Sequence, residues 1–167
     1  MNIKENNKQF LEKIDNNPEL KNKRDGLIKG QHPHTLVITC SDSRVVPEFI
    51  FNCSLGELFV IRTAGNVVNE GELATVEYAI EHLKIKHIIV LGHTHCGAIH
   101  AAINNEQGKY LDPILNRIRK NIAIIPNELI TTKINSLCEV DYLKEKFPNF
   151  EGTIESMIYD IETSEVF

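Results

Sequence analysis

Tryptophan is absent from this chain, methionine occurs twice, and cysteine only four times in 167 residues. No apolar run approaches the roughly 20 residues that a bilayer-spanning helix needs, so no membrane segment is expected. Basic residues are also scarce: Lys and Arg number 18 against 23 Asp and Glu, for a formal charge of −5 without a long basic stretch. That balance argues against nucleic acid as a partner. The first 29 residues are polar and charged and lack the apolar segment of a secretory leader. Four cysteines in such a chain point to metal binding or free thiols rather than disulfides, and hence to the reducing cytoplasm. Internal repeats, low-complexity tracts and linkers are missing too.

What remains is ordinary for a soluble globule, 42% apolar and 25% charged, and long enough for one domain with a core. Residues 1–30 read as a helical arm in one or two pieces, interrupted near Pro18. Its apolar positions, Phe10, Leu11, Ile14, Leu20, Leu27 and Ile28, are too few to bury well alone, so the arm is expected to pack on a partner subunit. Residues 31–167 form the second unit, a single α/β domain. Thr35–Cys40, Glu57–Arg62, His87–Leu91 and Gly152–Tyr159 have the composition of strands. Pro47–Cys53 suits a short helix with proline in its first turn. Glu70–Leu83 carries Leu73, Val76, Ala79, Ile80 and Leu83 at helical spacing. Helical pattern resumes at Cys96–Ile103 and at Tyr110–Lys146, with a break around Pro126. Strands alternating with helices predict a mainly parallel sheet of about four strands plus a C-terminal edge strand, flanked by helices.

Two short groups stand at the ends of predicted strands. Cys40-Ser41-Asp42-Ser43-Arg44 follows the first, and Gly92-His93-Thr94-His95-Cys96-Gly97 follows the third. In an open α/β sheet that carboxyl edge is where ligands bind, so residues distant in sequence can converge there. Two thiolates and an imidazole suit Zn²⁺, and three protein ligands leave a fourth position open. The two thiolates cancel the ion's charge, so a bound water needs help to ionise. Asp42 and Arg44 supply it: the guanidinium holds the carboxylate off the metal, free to orient zinc-bound hydroxide. If Arg44 lets go, Asp42 becomes a fourth ligand and closes the site.

With Pro47, Gly56-Glu57-Leu58-Phe59-Val60-Ile61-Arg62-Thr63-Ala64-Gly65-Asn66 and Ala98, these groups strongly resemble the β-class carbonic anhydrases. The resemblance runs from about Gln31 to Ile103 and returns at Met157-Ile158-Tyr159-Asp160-Ile161. It implies one Zn²⁺ per chain on Cys40, His93 and Cys96, with Asp42 and Arg44 as the catalytic pair. The implied reaction is reversible hydration of carbon dioxide to bicarbonate and a proton. It further implies substrate-binding roles for Gln31, Phe59, Tyr78 and Gly97, with Gln31 reaching a neighbouring subunit in a homodimer or homotetramer. Val37 stands where the bicarbonate-inhibited subtype carries tryptophan, which favours the plant-like subtype with an open site. Thr63 departs from the asparagine common after the arginine.

Two rival readings stay open at this stage. One is a carbon disulfide or carbonyl sulfide hydrolase on the same scaffold. The other is a non-catalytic zinc or redox-sensing protein, which needs a fourth Cys or His that Cys53 and Cys138 are poorly placed to give. Those two read as core or half-buried residues, and His32, His34, His82, His87 and His100 as surface or packing histidines. His95 is read as a supporting group, a proton acceptor or a solvent-facing residue. Arg62, Ser43 and Asp160 are given structural roles.

Overall fold

A computed structural model describes residues 2–122 and 127–167. The Leu36-Val37-Ile38 run forms β1 (Thr35–Cys40), buried at all six positions. Three further strands, β2 (Leu58–Thr63), β3 (His87–His93) and β4 (Thr153–Tyr159), join it in a parallel sheet of order β2-β1-β3-β4. Four strands in all include the C-terminal edge strand. β1 and β3 are nearly continuous apolar runs because they lie inside the sheet with both faces covered. They pair in register from Leu36 with Ile88 to Thr39 with Leu91. From β1 the chain runs outward to β2 and then crosses to β3 on the other side. The connections of β1 and β3 therefore leave in opposite directions, the topology at which open α/β sheets bind ligands.

The helices follow their caps. α1 (Ile3–Asp15) and α2 (Pro18–Gly26) are separated where Asn17 caps the second and Pro18 opens it. α3 (Pro47–Ile50) stops short of Cys53, since Asn52 turns left-handed with φ 49°. α4 (Glu70–Glu81) begins where Glu72 accepts the Asn69 amide at 2.8 Å, and ends before Lys84, whose φ is 58°. α5 (Gly97–Ile103), α6 (Asp112–Arg119) and α7 (Glu128–Lys146) complete the set. The break expected around Pro126 lies outside the described residues.

Alternate side chains of the sheet build two cores. On one face Leu36, Ile38, Ile88 and Val90 meet Val76 and Ala79 of α4 and Val140 and Leu143 of α7. On the other, Val37, Ile89 and Leu91 meet Val45, with Ile50, Phe51 and Val166 beside them. The chain end folds back on β4, where Ile158 and Phe167 exchange backbone hydrogen bonds of 2.8 and 3.0 Å. The N-terminal arm differs: α1 buries only Ile14, while Ile3 and Ile28 are 72% and 75% exposed.

Leu143 is fully buried between α7 and the sheet. Leu143→Ala should lower stability by about 2–5 kcal/mol through lost transfer energy and a cavity. A fall in the urea midpoint at unchanged m-value is the expected reading, and an unchanged midpoint contradicts this packing.

Candidate metal centre

β1 delivers Cys40 at its last residue, β3 delivers His93 at its last residue, and Cys96 sits at the N-cap of α5. All three are buried, and their donor atoms lie within 4.8 Å of one another. The sulfurs of Cys40 and Cys96 are 4.0 Å apart. Two sulfurs each about 2.3 Å from one tetrahedral ion are separated by about 3.8 Å, so the spacing fits a shared metal. It does not fit a disulfide of about 2.05 Å, and all four cysteines are free. His93 Nδ1 donates to the Thr94 carbonyl at 2.9 Å, which fixes the tautomer and bares Nε2. That Nε2 is buried without a hydrogen-bond partner. A buried polar atom left bare beside two sulfurs is what a ligand awaiting a metal looks like. No fourth Cys or His joins the group among the described residues.

The thiols respond to the same crowding. The Cys96 hydrogen bond, helped by His93 and the Gly65 amide, pulls the Cys40 thiol down against burial. The same contact, with burial and the Cys40 charge, pushes the Cys96 thiol up. The chain alone supports one anionic sulfur here, and a divalent cation allows two.

Gly65 explains part of this placement. Its amide donates to Cys40 Sγ at 3.3 Å from a left-handed backbone with φ 67°. A Cβ there would come within 2.9 Å of Ile118 Cδ1 and 3.2 Å of Ala98 Cβ. The turn is held from behind by α7: Asn135 Nδ2 donates to the Gly65 carbonyl at 2.9 Å, and Asn66 Nδ2 to Ser136 Oγ at 3.4 Å. Glu139, fully buried, accepts from Arg117 Nε and Nη2 at 2.7 and 2.8 Å and from the Val68 amide at 3.3 Å. Burial raises the Glu139 carboxyl, and Arg117 opposes that rise. None of Asn135, Glu139 or Arg117 was singled out from sequence. The available signal was the polar series Thr131, Thr132, Asn135, Ser136 and Glu139, which repeats at helical spacing along one face of α7.

Asp42 and Arg44 meet as expected. Asp42 Oδ1 accepts from the Arg44 amide and Nε, both at 2.9 Å, and Oδ2 accepts from Nη2 at 2.7 Å. Nη2 also donates to the His95 carbonyl at 3.1 Å, tying the loop after Cys40 to the one after His93. Arg62 is structural, though through backbone rather than an ion pair: Nε donates to the Cys40 carbonyl at 3.1 Å and Nη2 to that of Asp42 at 2.6 Å. The His95 side chain is exposed and meets Glu162 at 3.0 Å. Asp160 accepts from the Thr94 hydroxyl at 3.2 Å, a structural contact.

The four substrate-pocket candidates divide. Gly97 directly follows Cys96 and opens α5. Phe59 pairs with Leu36, four residues before Cys40 and so about 13 Å along the strand. The Tyr78 ring lies 6.2 Å from that of Phe59, and Tyr78 shares an open groove of about 530 Å³ with Gln31. Within one chain, then, Gln31, Phe59 and Tyr78 gather away from the metal group.

The Arg44 hydrogen bonds hold Asp42 well below the usual carboxylate range. A depressed folded value stabilises the protein fully above the unfolded pKa of about 3.9, and that contribution is lost as pH falls towards the folded value. The stability gap between wild type and Arg44→Ala, read from urea unfolding, should therefore be constant near neutrality and shrink in acid. A gap independent of pH down to the acid limit contradicts the pairing.

Comparison with known proteins places this geometry. The profile of a family described as carbonic anhydrase matches residues 35–131, more than half of the chain. A carbonic anhydrase of Synechococcus elongatus is 35% identical over 83% of this chain and 60% of its own length. One from Helicobacter pylori is 33% identical, with 89% of this chain and 81% of the relative covered. Among solved structures, a tetrameric β-carbonic anhydrase of the ascomycete Sordaria macrospora superposes with a TM-score of 0.79. It shares 27% identity, over 99% of this chain and 93% of that one. This chain spans only about three-fifths of the Synechococcus relative. Family profile, a relative matched over most of both chains, and a sheet with its cysteine–histidine–cysteine group agree: the chain belongs to the β-class carbonic anhydrases.

Proposed function

We propose that this protein hydrates carbon dioxide reversibly to bicarbonate and a proton, with one zinc per chain on Cys40, His93 and Cys96. The observation that carries the reading is the bare, buried Nε2 of His93 beside two sulfurs 4.0 Å apart. When bound, zinc supplies the Lewis acidity that makes water nucleophilic near neutral pH.

The chain's own residues do the rest. Asp42 is kept ionised by Arg44 and accepts a hydrogen bond from the attacking water, which aims a lone pair at the carbon of the substrate. Arg44 holds both carboxylate oxygens, so Asp42 rests off the metal, in keeping with the plant-like open form. Val37 in place of tryptophan supports the same form. Arg62 fixes the backbone on either side of Ser41, so that thiolate and carboxylate keep their spacing. Gly97, which directly follows Cys96 at the start of α5, is assigned to bind the substrate through its amide.

The apolar wall comes from a second subunit. Gln31, Phe59 and Tyr78 lie too far from their own chain's metal group, and they serve that of a partner in a homodimer or homotetramer. The uncovered apolar side chains of the arm, Ile3, Phe10, Leu11 and Ile28, support such packing, as do the tetrameric relatives of Sordaria macrospora. The arm (residues 1–30) and the catalytic unit (residues 31–167) thus have separate tasks. Four free cysteines suit the cytoplasm. Among the described residues no helix is long and apolar enough to cross a membrane. The three relatives named above all carry the carbonic anhydrase name, which favours carbon dioxide over the sulfur gases and over a non-catalytic zinc protein.

Stopped-flow hydration of carbon dioxide tests the reading. Asp42→Asn should keep its zinc and lose about 100-fold or more in kcat/KM. Undiminished turnover in that variant, or turnover of carbonyl sulfide alone by the wild type, overturns it.

A further inference from the structure

A second set of metal-type donors lies at the other end of β1. His34 immediately precedes β1, Glu57 immediately precedes β2, and Cys53 sits in the turn after α3. Their donor atoms lie within 4.8 Å of one another. His34 is six residues before Cys40, about 20 Å along an extended chain, so this group is independent of the first.

The backbone holds each donor in place. The His34 amide donates to the Glu57 carbonyl at 3.0 Å, which zips the starts of β1 and β2 together. The Cys53 amide donates to the Glu48 carbonyl at 2.8 Å. The Ser54 amide fixes the Glu57 carboxylate through Oε2 at 2.7 Å, and the Thr35 hydroxyl lies 2.8 Å from His34 Nδ1. A positive charge is already drawn there, because Lys23 Nζ of α2 donates to Glu57 Oε1.

We propose that His34, Cys53 and Glu57 form a second zinc site, separate from the catalytic centre. A thiolate, an imidazole and a carboxylate suit zinc, whereas magnesium and calcium prefer oxygen alone. One thiolate and one carboxylate cancel the charge of the ion. Zinc–ligand distances of about 2.0–2.3 Å require the three donors to close by about 1 Å, within reach of side-chain rotation. Burial, then Glu57 and Glu48, keep the Cys53 thiol above its ordinary value, so zinc uptake releases the thiol proton to solvent. Zinc also displaces Lys23 from Glu57. The loaded site staples the starts of two strands to the turn after α3, three residues from Gln31.

Zinc titration of the holoprotein, with the catalytic centre already filled, tests this. Equilibrium dialysis against micromolar free zinc should give a second equivalent per chain. Cys53→Ser and His34→Ala should each lose that equivalent and keep the first. Lys23→Ala should bind it several-fold more tightly, since a competing cation is gone. Cobalt added to zinc-loaded protein should produce thiolate-to-metal charge-transfer absorption that Cys53→Ser lacks. Saturation of folded wild type at one zinc, or an undiminished second equivalent in Cys53→Ser, overturns the proposal. Loss of the first equivalent in Cys40→Ser alone bears on the catalytic centre and leaves this test intact.

Discussion

Repulsion between two sulfur anions is the constraint on which this structure turns. Cys40 and Cys96 lie 4.0 Å apart in a buried place, and burial there penalises each charge. The protein supplies partial relief through the Cys96 hydrogen bond, with smaller help from His93 and the Gly65 amide, enough for one thiolate. Its remaining donor, His93, offers a buried ring nitrogen with no hydrogen-bond partner. A cation resolves all three difficulties together, which is why the surrounding chain is organised to hold these atoms close rather than let them part. Metal binding and local folding are for that reason one free energy.

The fold supplies the stage through its topology. Because β1 and β3 send their connections to opposite sides, their two strand ends lie side by side. Behind that edge, α7 presents an unusual buried polar face, in which Asn135 and Ser136 hold the Gly65–Asn66 turn and Glu139 anchors it through Val68. Gly92 belongs to the same design, since a Cβ there would meet Ser136 Oγ at 2.5 Å. The helix therefore packs against the strand that carries His93, and Arg117 neutralises the carboxylate that this close packing buries. In front, Arg44 and Arg62 bind the two loops through backbone carbonyls. The positions of Cys40, His93 and Cys96 are set from both sides.

Much of this was legible in sequence because its signals are local. The apolar runs gave β1 in full and β3 nearly so. Pro18 marked the break in the arm and Pro47 a helix start, and the spacing within Gly92–Gly97 put His93 and Cys96 close together. Boundaries slipped where backbone strain decides them, as at Asn52 and Lys84, whose left-handed conformations end helices that composition alone would extend. The buried Arg117–Glu139 pair was not legible: it joins α6 to α7, and nothing in either segment announces the other. Arg62 was read as structural, yet its partners are carbonyl oxygens, which no side-chain pattern encodes. Gln31, Phe59 and Tyr78 lie on surfaces whose purpose a single chain does not complete.

X-ray absorption at the zinc edge tests the central claim most directly, on protein carrying one zinc per chain. The account predicts two sulfurs at about 2.3 Å and two lighter atoms near 2.0–2.1 Å, with one sulfur lost in Cys40→Ser. A spectrum with no sulfur, with three or more, or unaltered by that substitution contradicts it.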